Sequence, residues 1–379
     1  MPPKCFPIRI DERGSIALET ASAGAWQLAR VWLWLVAVPC LAWADSSNML
    51  PDSGDAHLTF YLDNDLFSGT DANYTNGIRL SWISGARDPN AFGLVHRWLR
   101  TLSGDASTRR EFQRISGFEN PAELEYNYGL SLTQLMFTPE DPTAPKAPPG
   151  QRPYAGWLGL DFSLHTKDAH AMNSVELALG VTGKPSLAEQ AQDFVHGLRG
   201  IQKFAGWDSQ VPTEVTANLY YKQKRRLTFL ETAQGDFAVD GFGEWRLALG
   251  NFETDAQLGT LFRAGWNLPP DFSDPRLSVT AYSHQPFKGG QRQTHAWSLY
   301  GLAGVLGAGV AHNITLDGPL FQTFDTGTSS KPFYGELYAG FGARYRRTQL
   351  SYVHTFRSRD FDGQDHGQNF GSLALSYRF

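Results

Sequence analysis

The sequence predicts an all-β protein, a transmembrane antiparallel β-barrel of about twelve strands with a short helix in an outward-facing loop. From Leu58 onward, apolar residues alternate with small, polar or charged ones, which is the period of a β-strand. A soluble β-sandwich has the same period. Charged residues inside long strands, with apolar faces that end in Trp or Tyr, favour instead a barrel with lipid outside and a polar lumen.

The predicted strands can be counted along the chain. They lie near 57–64, 74–84, 127–137, 154–165, 173–183, 213–231, 236–250, 255–267, 295–312, 333–345, 348–358 and 370–379. An even count returns both termini of the chain to the periplasm. The stretches 85–126 and 268–294 would then be unusually long connections on the periplasmic side, where turns are usually short.

The last predicted strand shows the alternation most clearly. Its apolar face consists of Leu373, Leu375, Tyr377 and Phe379. A C-terminal strand that closes on Phe resembles the recognition signal of the barrel assembly machinery, which is therefore an expected partner during biogenesis. We expect the bacterial outer membrane as the location; the alternative is a soluble protein that ends in an edge strand.

An apolar run near the start predicts export. Residues 31–44 follow Arg30 and end in small residues, and at roughly 14 residues the run is short for a bilayer-spanning helix, which needs about 20. We therefore expect a cleavable signal peptide over residues 1–44 and one barrel domain over residues 45–379. An uncleaved anchor is the alternative.

Composition excludes several classes of site and partner. Both cysteines, Cys5 and Cys40, fall in the predicted leader, so the mature chain can form neither a disulfide nor a cysteine metal site. A net charge of −5 over 379 residues argues against nucleic acid as a partner.

With both chain termini in the periplasm, connections after odd-numbered strands face outward, and the first two carry unusual polar residues. Asn64, Asp65 and Thr75 offer oxygen ligands that suit a hard cation such as Ca²⁺. The guanidinium of Arg152 suits a lipopolysaccharide phosphate. The alternatives are an ordinary turn after the first strand and an arginine that only pairs or stacks at the rim.

The third outward connection predicts a helix. Ser186 and Glu189 have the spacing of a capping box at its start. Gln192 and His196 lie four residues apart, so they share one helix face. His196 could accept a proton from water and so deliver hydroxide to an ester beside a bound cation. A loop histidine without a catalytic role is the alternative.

At these residues the chain resembles the lipid A 3′-O-deacylase (LpxR) family. Several ordered motifs, spread over nearly the whole mature chain, carry the resemblance, and it is their order that makes it specific. They are Asn64-Asp65, Tyr74-Thr75-Asn76-Gly77, Gln134, Thr138-Pro139, Arg152-Pro153-Tyr154-Ala155-Gly156-Trp157, Gln192, His196, Gly200, Gly206-Trp207-Asp208, Gln210, Phe361, Gln364 and Phe370-Gly371-Ser372.

The resemblance implies a twelve-stranded outer-membrane barrel that acts as a calcium-dependent esterase. Its substrate would be lipid A of the outer leaflet, from which it removes the 3′-acyloxyacyl group, and it would act as a monomer. Asn64, Asp65 and Thr75 match the family's metal and oxyanion region, with Asn64 and Asp65 as metal ligands. His196 matches the general base, and Gln192 matches the glutamine one turn before it.

One position departs from the family pattern. Counting from His196 to Trp207 without a gap places Gln202 where a characterised deacylase has a glutamate. Because glutamine carries no charge to orient a histidine, either the activity is reduced or another carboxylate, Asp193 or Asp208, replaces it.

Phosphate recognition and the function class have open alternatives. Lys146 is the nearest match to a lysine that the resemblance implies in the second outward loop, and with Arg152 it is a predicted contact for substrate phosphate. The alternatives to a lipid A deacylase are an esterase acting on phospholipid, or a catalytically inert or channel-forming barrel. The Gln202 departure is what favours inertness.

Overall fold

In the computed structural model, a closed antiparallel barrel accounts for most of the chain. The structure describes residues 55–65, 73–86, 118, 124–232, 236–272, 274–277 and 295–379, so the predicted leader at 1–44 lies outside it. Within these ranges twelve strands form one closed sheet, each hydrogen-bonded to its sequence neighbours and β1 to β12. No helix in these ranges is long and apolar enough to cross a membrane.

The bounds of the strands follow the predicted alternation to within two residues at every end. The strands are β1 (His57–Asn64), β2 (Asn73–Ile83), β3 (Glu125–Thr138), β4 (Ala155–Lys167), β5 (Ala171–Thr182), β6 (Val215–Glu231), β7 (Phe237–Gly250), β8 (Glu253–Trp266), β9 (Trp297–Asn313), β10 (Phe333–Tyr345), β11 (Thr348–Arg357) and β12 (Gln368–Arg378). The described residues also form two α-helices, α1 (Ala188–Arg199) and α2 (Ile314–Asp317). The predicted fold class is therefore confirmed.

The barrel closes between its first and last strands. Leu62 of β1 lies opposite Leu373 of β12, and the backbones of Ala56 and Phe379 exchange hydrogen bonds of 3.1 and 2.9 Å. Closure leaves no open sheet edge, which hydrocarbon could not solvate. We call the end that holds Ala56 and Phe379 the periplasmic end, as the even strand count predicts, and the opposite end the outer end.

Successive residues along each strand alternate between the two faces of the wall. On β3, Leu130 and Leu132 are 43% and 50% exposed on the outside, whereas Ser131 and Thr133 between them are buried in the lumen. Inward charges are paired: Arg79 contacts Asp161 at 3.2 Å and Glu176 at 3.1 Å. The outside is therefore apolar and the inside polar, as predicted.

Side chains fill the lumen near its outer end. A cluster of buried rings and aliphatic groups there is contributed by strands on opposite sides of the barrel; its large members are Tyr74, Phe137, Trp157, Tyr220, Phe252 and Phe370. Trp157 stacks on Phe252 with ring centroids 4.5 Å apart, and its indole N–H donates to Thr216 Oγ1 at 2.8 Å. The outer mouth of the barrel is thus packed with protein.

The connection that follows β8 turns into the lumen. Asp271 pairs with Arg263 of β8 at 2.7 Å and with Arg378 of β12 at 3.2 Å. Phe272 packs against Phe242 of β7, with ring centroids 5.4 Å apart. Part of the stretch predicted as a long periplasmic connection is therefore lumenal, and residues 278–294 lie outside the described ranges.

This lumenal segment continues toward the outer end. Arg276 pairs with Asp274 at 2.6 Å, and its guanidinium carbon lies 3.9 Å from the ring centroid of Tyr338. Leu277 then reaches a cavity of about 140 Å³ that Asp63 and Tyr74 also line, near the outer end. Since the segment contacts strands on several sides of the barrel, it fills the lumen as a plug.

We expect that the intact protein, unlike a porin, does not conduct ions. Among the described residues, the aromatic cluster occupies the outer end and the lumenal segment crosses the barrel below it, so both obstruct a polar path through the lumen. Single-channel recording in planar lipid bilayers tests this, with a general porin reconstituted in parallel as the positive control. Stable conductance steps from the purified barrel would contradict the plugged lumen and support the channel alternative.

Arg276→Ala should destabilise the barrel by about 3–5 kcal/mol, because removing one member of a buried ion network leaves the others uncompensated. Arg276 lies among Asp274, Glu244 and Glu336. The measurement is the urea midpoint of unfolding in lipid. Lys331→Ala is the matched control, since its 2.9 Å pair with Asp362 is largely exposed and should change nothing measurable. Equal midpoints for both variants would contradict a structural role for the plug.

Candidate active site

The third outward connection forms the predicted helix, but it begins differently. α1 starts after Leu187, which takes a left-handed conformation with φ of 57° and makes no side-chain cap. Ser186 belongs to the preceding 3-10 turn, where its hydroxyl donates to the carbonyl of Gly183 at 2.6 Å. The predicted capping box from Ser186 to Glu189 is therefore wrong. The hydroxyl of Ser186 is bonded within the 3-10 turn, and the residue at the N-cap of α1 is Leu187.

α1 packs against the outside of the barrel wall. Met136 lies an even number of residues from the lipid-exposed Leu130 and Leu132, so by strand parity its side chain is on the same outward face of β3. It is nevertheless only 2% exposed, because it packs with Ala188 at the start of α1. Gln134, also on the outward face, donates from Nε2 to the carbonyl of Ser186 at 2.7 Å. The helix thus covers the outer ends of β3 and β4 from the lipid side.

The same close approach explains a glycine of β4. A Cβ at Gly156 would overlap both Ser186 and Ala188, so a side chain there would push α1 off the wall. Gly156 belongs to one of the motifs that carried the resemblance. Its role is steric: it lets the helix backbone approach the sheet.

His196 is buried and its tautomer is set by the backbone. The ring is 4% exposed, packs at 5.7 Å from Phe204, and places Nδ1 2.6 Å from the carbonyl oxygen of Gln202. Since a carbonyl only accepts, Nδ1 carries the hydrogen, and neutral His196 has its lone pair on Nε2. This is the protonation pattern that a general base requires.

The contact of His196 with residue 202 is made by the main chain. The main-chain carbonyl of Gln202, and not its side chain, accepts from Nδ1 of His196, so the ring has an orienting partner that carries no charge. Both carboxylates considered as replacements are paired with lysines: Asp193 with Lys203 at 2.6 Å and Asp208 with Lys184 at 2.8 Å. The hydrogen bond from Lys184 and its charge lower the pKa of Asp208.

Gln192 lies one turn before His196 and is 3% exposed. Its Oε1 accepts a hydrogen bond from the indole N–H of Trp207 at 2.7 Å. Its Nε2 is buried and has no hydrogen-bond partner in the described part of the chain. The helix face that carries His196 thus also carries a buried amide donor.

The end of β1 lies close to α1 on the same outer face. Asn64 is opposite Asn76 of β2, which is opposite Met136 of β3, and all three have outward strand parity. Neighbouring strands are about 4.8 Å apart, so Asn64 lies about 10 Å from the strand position on which α1 packs. The first and third outward connections therefore begin near one another on the outer face of the wall.

The residues at this corner fit a hard cation by chemistry. Asp65 is fully buried, Asn64 precedes it, and Asn76 places a buried Oδ1 there without a hydrogen-bond partner in the described ranges. Carboxylate and amide oxygens are the ligands that Ca²⁺ prefers. Thr75 lies at a register shift of β2, and its side chain is outside the described part. No group of three or more His, Cys, Asp or Glu converges within the described ranges, so a site here would rest partly on amides.

Arg152 points away from this corner, into the lumen. It is 2% exposed, pairs with Asp360 at 3.3 Å, donates to Thr315 Oγ1 at 3.0 Å and lies 4.4 Å above the ring of Phe137. Arg152, from the connection between β3 and β4, therefore ties together the outer connections that hold Thr315 and Asp360 above the barrel interior. Lys146 is exposed in the connection between β3 and β4. Phosphate contacts from Arg152 and Lys146 stay predictions.

Sequence reasoning assigned no role to the aromatic residues that hold α1. Tyr154, Phe204 and Trp207 form a buried cluster with Met136 and Ala188, and the ring centroids of Tyr154 and Trp207 are 5.5 Å apart. Tyr154 and Trp207 both belong to motifs on which the family resemblance rests, and this was the signal in the sequence that could have pointed to them. Their contacts with one another appear only in the folded chain.

Comparisons with known proteins agree with the fold and extend it to a family. The family model described as "Outer membrane protein LpxR" matches residues 31–379. The solved structure of LpxR from Salmonella typhimurium aligns with a TM-score of 0.64 at 15% identity, covering 85% of this chain and 100% of that one. The β-domain of the Bordetella autotransporter Brka aligns at a TM-score of only 0.37 and 11% identity, covering 86% of this chain and 97% of that one.

No curated protein matches the chain in a sequence search. At 15% identity the Salmonella structure shows the fold alone, whereas the family model spans the barrel, the β1 corner and α1. The outer-membrane location predicted from the terminal strand is confirmed by the family model, and the barrel fold agrees with it. The chain belongs to the LpxR family of outer membrane proteins.

Proposed function

We propose that the protein is a lipid A 3′-O-deacylase, a carboxylic-ester hydrolase that removes the 3′-acyloxyacyl group of lipid A in the outer leaflet. The observation that carries the proposal is the placement of His196 in a base-competent tautomer beside the amide of Gln192, on a helix that covers the outside of the barrel wall. Family membership supports the same reaction class.

The position of the helix favours a lipid substrate. α1 packs on outward positions of the wall, at the outer end, where the outer leaflet surrounds the barrel. Leu187 and Phe194 at α1 are 51% and 66% exposed, an apolar surface that acyl chains can contact. A substrate can therefore approach from the side, within the membrane plane, and the plugged lumen is no obstacle to it.

The reaction would proceed by general-base hydrolysis. Nε2 of His196 accepts a proton from water, the resulting hydroxide attacks the ester carbonyl, and the N–H of Gln192 stabilises the negative charge that develops on the carbonyl oxygen. The imidazolium then returns its proton to the leaving 3′-oxygen of the sugar. Ca²⁺, held by Asp65, Asn64 and Asn76, would supply a Lewis acid that polarises the carbonyl.

His196→Ala should abolish deacylation, lowering kcat by about 10²–10⁴-fold, because it removes the group that takes the proton from water. Mass spectrometry of lipid A from cells expressing each protein measures the loss of the 3′-acyloxyacyl mass. His170→Ala, at the periplasmic turn between β4 and β5, is the matched control and should behave as wild type.

The same spectra separate the alternatives. Unchanged lipid A with folded wild-type protein and calcium present would overturn the proposed function. If phospholipids lose acyl chains while lipid A stays intact, the protein is an outer-membrane phospholipid esterase instead. Equal deacylation by His196→Ala and wild type would leave an ester hydrolase but remove His196 as its base.

Gln202→Ala and Gln202→Glu should both keep deacylase activity within about threefold of wild type. The atom that orients His196 is the main-chain carbonyl of residue 202, which neither substitution removes. Initial rates on purified lipopolysaccharide in detergent, with added calcium, measure this. A large gain for Gln202→Glu would contradict the backbone assignment and show that a carboxylate is required.

A further inference from the structure

We propose that Trp207 is a positioning residue for this hydrolysis: its indole N–H fixes the side-chain amide of Gln192 so that Nε2 faces the oxygen of the substrate ester. The inference rests on the proposed function and assigns to Trp207 a role that acts through Gln192. Trp207 lies in a 3-10 turn (Trp207–Ser209) beyond the end of α1.

The orientation of the amide follows from the chemistry of its partner. An indole N–H can donate but cannot accept, so the group of Gln192 that faces it must be the oxygen, as the 2.7 Å contact from Nε1 to Oε1 shows. The Nε2 donor is thereby directed away from Trp207. An ambiguous partner such as a serine hydroxyl would leave both orientations of the amide possible.

The donor that results is buried and unused within the described part of the chain. A buried N–H without a partner is unfavourable, and native proteins keep few of them. Here the donor shares a helix face with His196, whose Nε2 carries the lone pair. A carbonyl oxygen that becomes negative during ester hydrolysis is the kind of acceptor that such a donor would stabilise most.

Trp207 is itself rigidly held, as a positioning residue must be. It is 1% exposed and packs against Tyr154, and it belongs to the buried cluster that contains Phe204 and Met136. Gln210 Nε2 donates to the carbonyl of Trp207 at 2.9 Å, which fixes the backbone of the turn. The indole therefore has little freedom to turn away from Gln192.

Trp207→Phe keeps an aromatic ring in the cluster but removes the N–H. With that bond lost, the Gln192 amide can rotate and present its oxygen to the substrate oxygen. We expect kcat on lipopolysaccharide to fall by about tenfold or more while KM changes little, because the donor acts on the charge of the transition state.

The chain provides a matched control. Trp245 donates from its indole to Gln223 Oε1 at 3.0 Å in the wall formed by β6 and β7, far along the sheet from α1. Trp245→Phe removes the same chemical interaction and should leave both kcat and KM unchanged. Heat-modifiability on gels verifies that both variants form the closed barrel.

A double-mutant cycle separates positioning from a general packing defect. If Trp207 acts through Gln192, Trp207→Phe should have no further effect on kcat once Gln192→Ala is present. Gln192→Glu should lower kcat as Gln192→Ala does, since a carboxylate still accepts from the indole but donates nothing to the substrate. Additive effects of Trp207→Phe and Gln192→Ala would overturn the inference.

A readout that needs no catalysis distinguishes failure of this inference from failure of the proposed function. In detergent-solubilised protein with isotope-labelled glutamine, the side-chain NH₂ resonances of Gln192 are assigned by their loss in Gln192→Ala. Trp207→Phe should shift them, and Trp245→Phe should not. If wild type leaves lipid A intact, the proposed function fails; if the Gln192 resonances are identical in Trp207→Phe, the positioning role fails.

Discussion

The pairing of β1 with β12 satisfies the last backbone hydrogen bonds of a sheet that stands in hydrocarbon, and the positions of the other side chains depend on it. Once the sheet is closed, strand parity decides whether a residue faces lipid or lumen. Parity sends Asn64, Asn76 and Met136 outward and Arg79 inward. A shift of one residue in register would exchange the two sets and dismantle both the lumenal ion pairs and the outer corner.

The two faces of the same wall carry different tasks. Inside, buried ion pairs such as those of Arg79 and Arg263, together with the segment that contains Asp271, occupy the lumen. Outside, α1 shields a small polar site from lipid. A site on the outer face suits the proposed lipid substrate, whose acyl chains would stay in the leaflet while its ester approached the helix.

Within that site, groups that cannot change their hydrogen-bonding role set the chemistry. The carbonyl of Gln202 can only accept, so Nδ1 of His196 must donate; the indole of Trp207 can only donate, so Oε1 of Gln192 must accept. These two constraints leave the Nε2 lone pair of neutral His196 and the Nε2 donor of Gln192 on adjacent turns of α1. The side chain at position 202 can therefore be a glutamine without disturbing the histidine tautomer.

The amino-acid sequence by itself determined the strands, their number and the outward loops, since period-2 alternation and the terminal Phe379 are local patterns read directly along the chain. It also singled out His196 and Gln192 through helical spacing. Only the tertiary structure decided that Arg152 faces the lumen, that residues after β8 turn inward, and that Trp207 binds Gln192. The physical reason is that these contacts join segments distant in sequence, and no local period encodes which face or partner a loop residue takes once the barrel has closed.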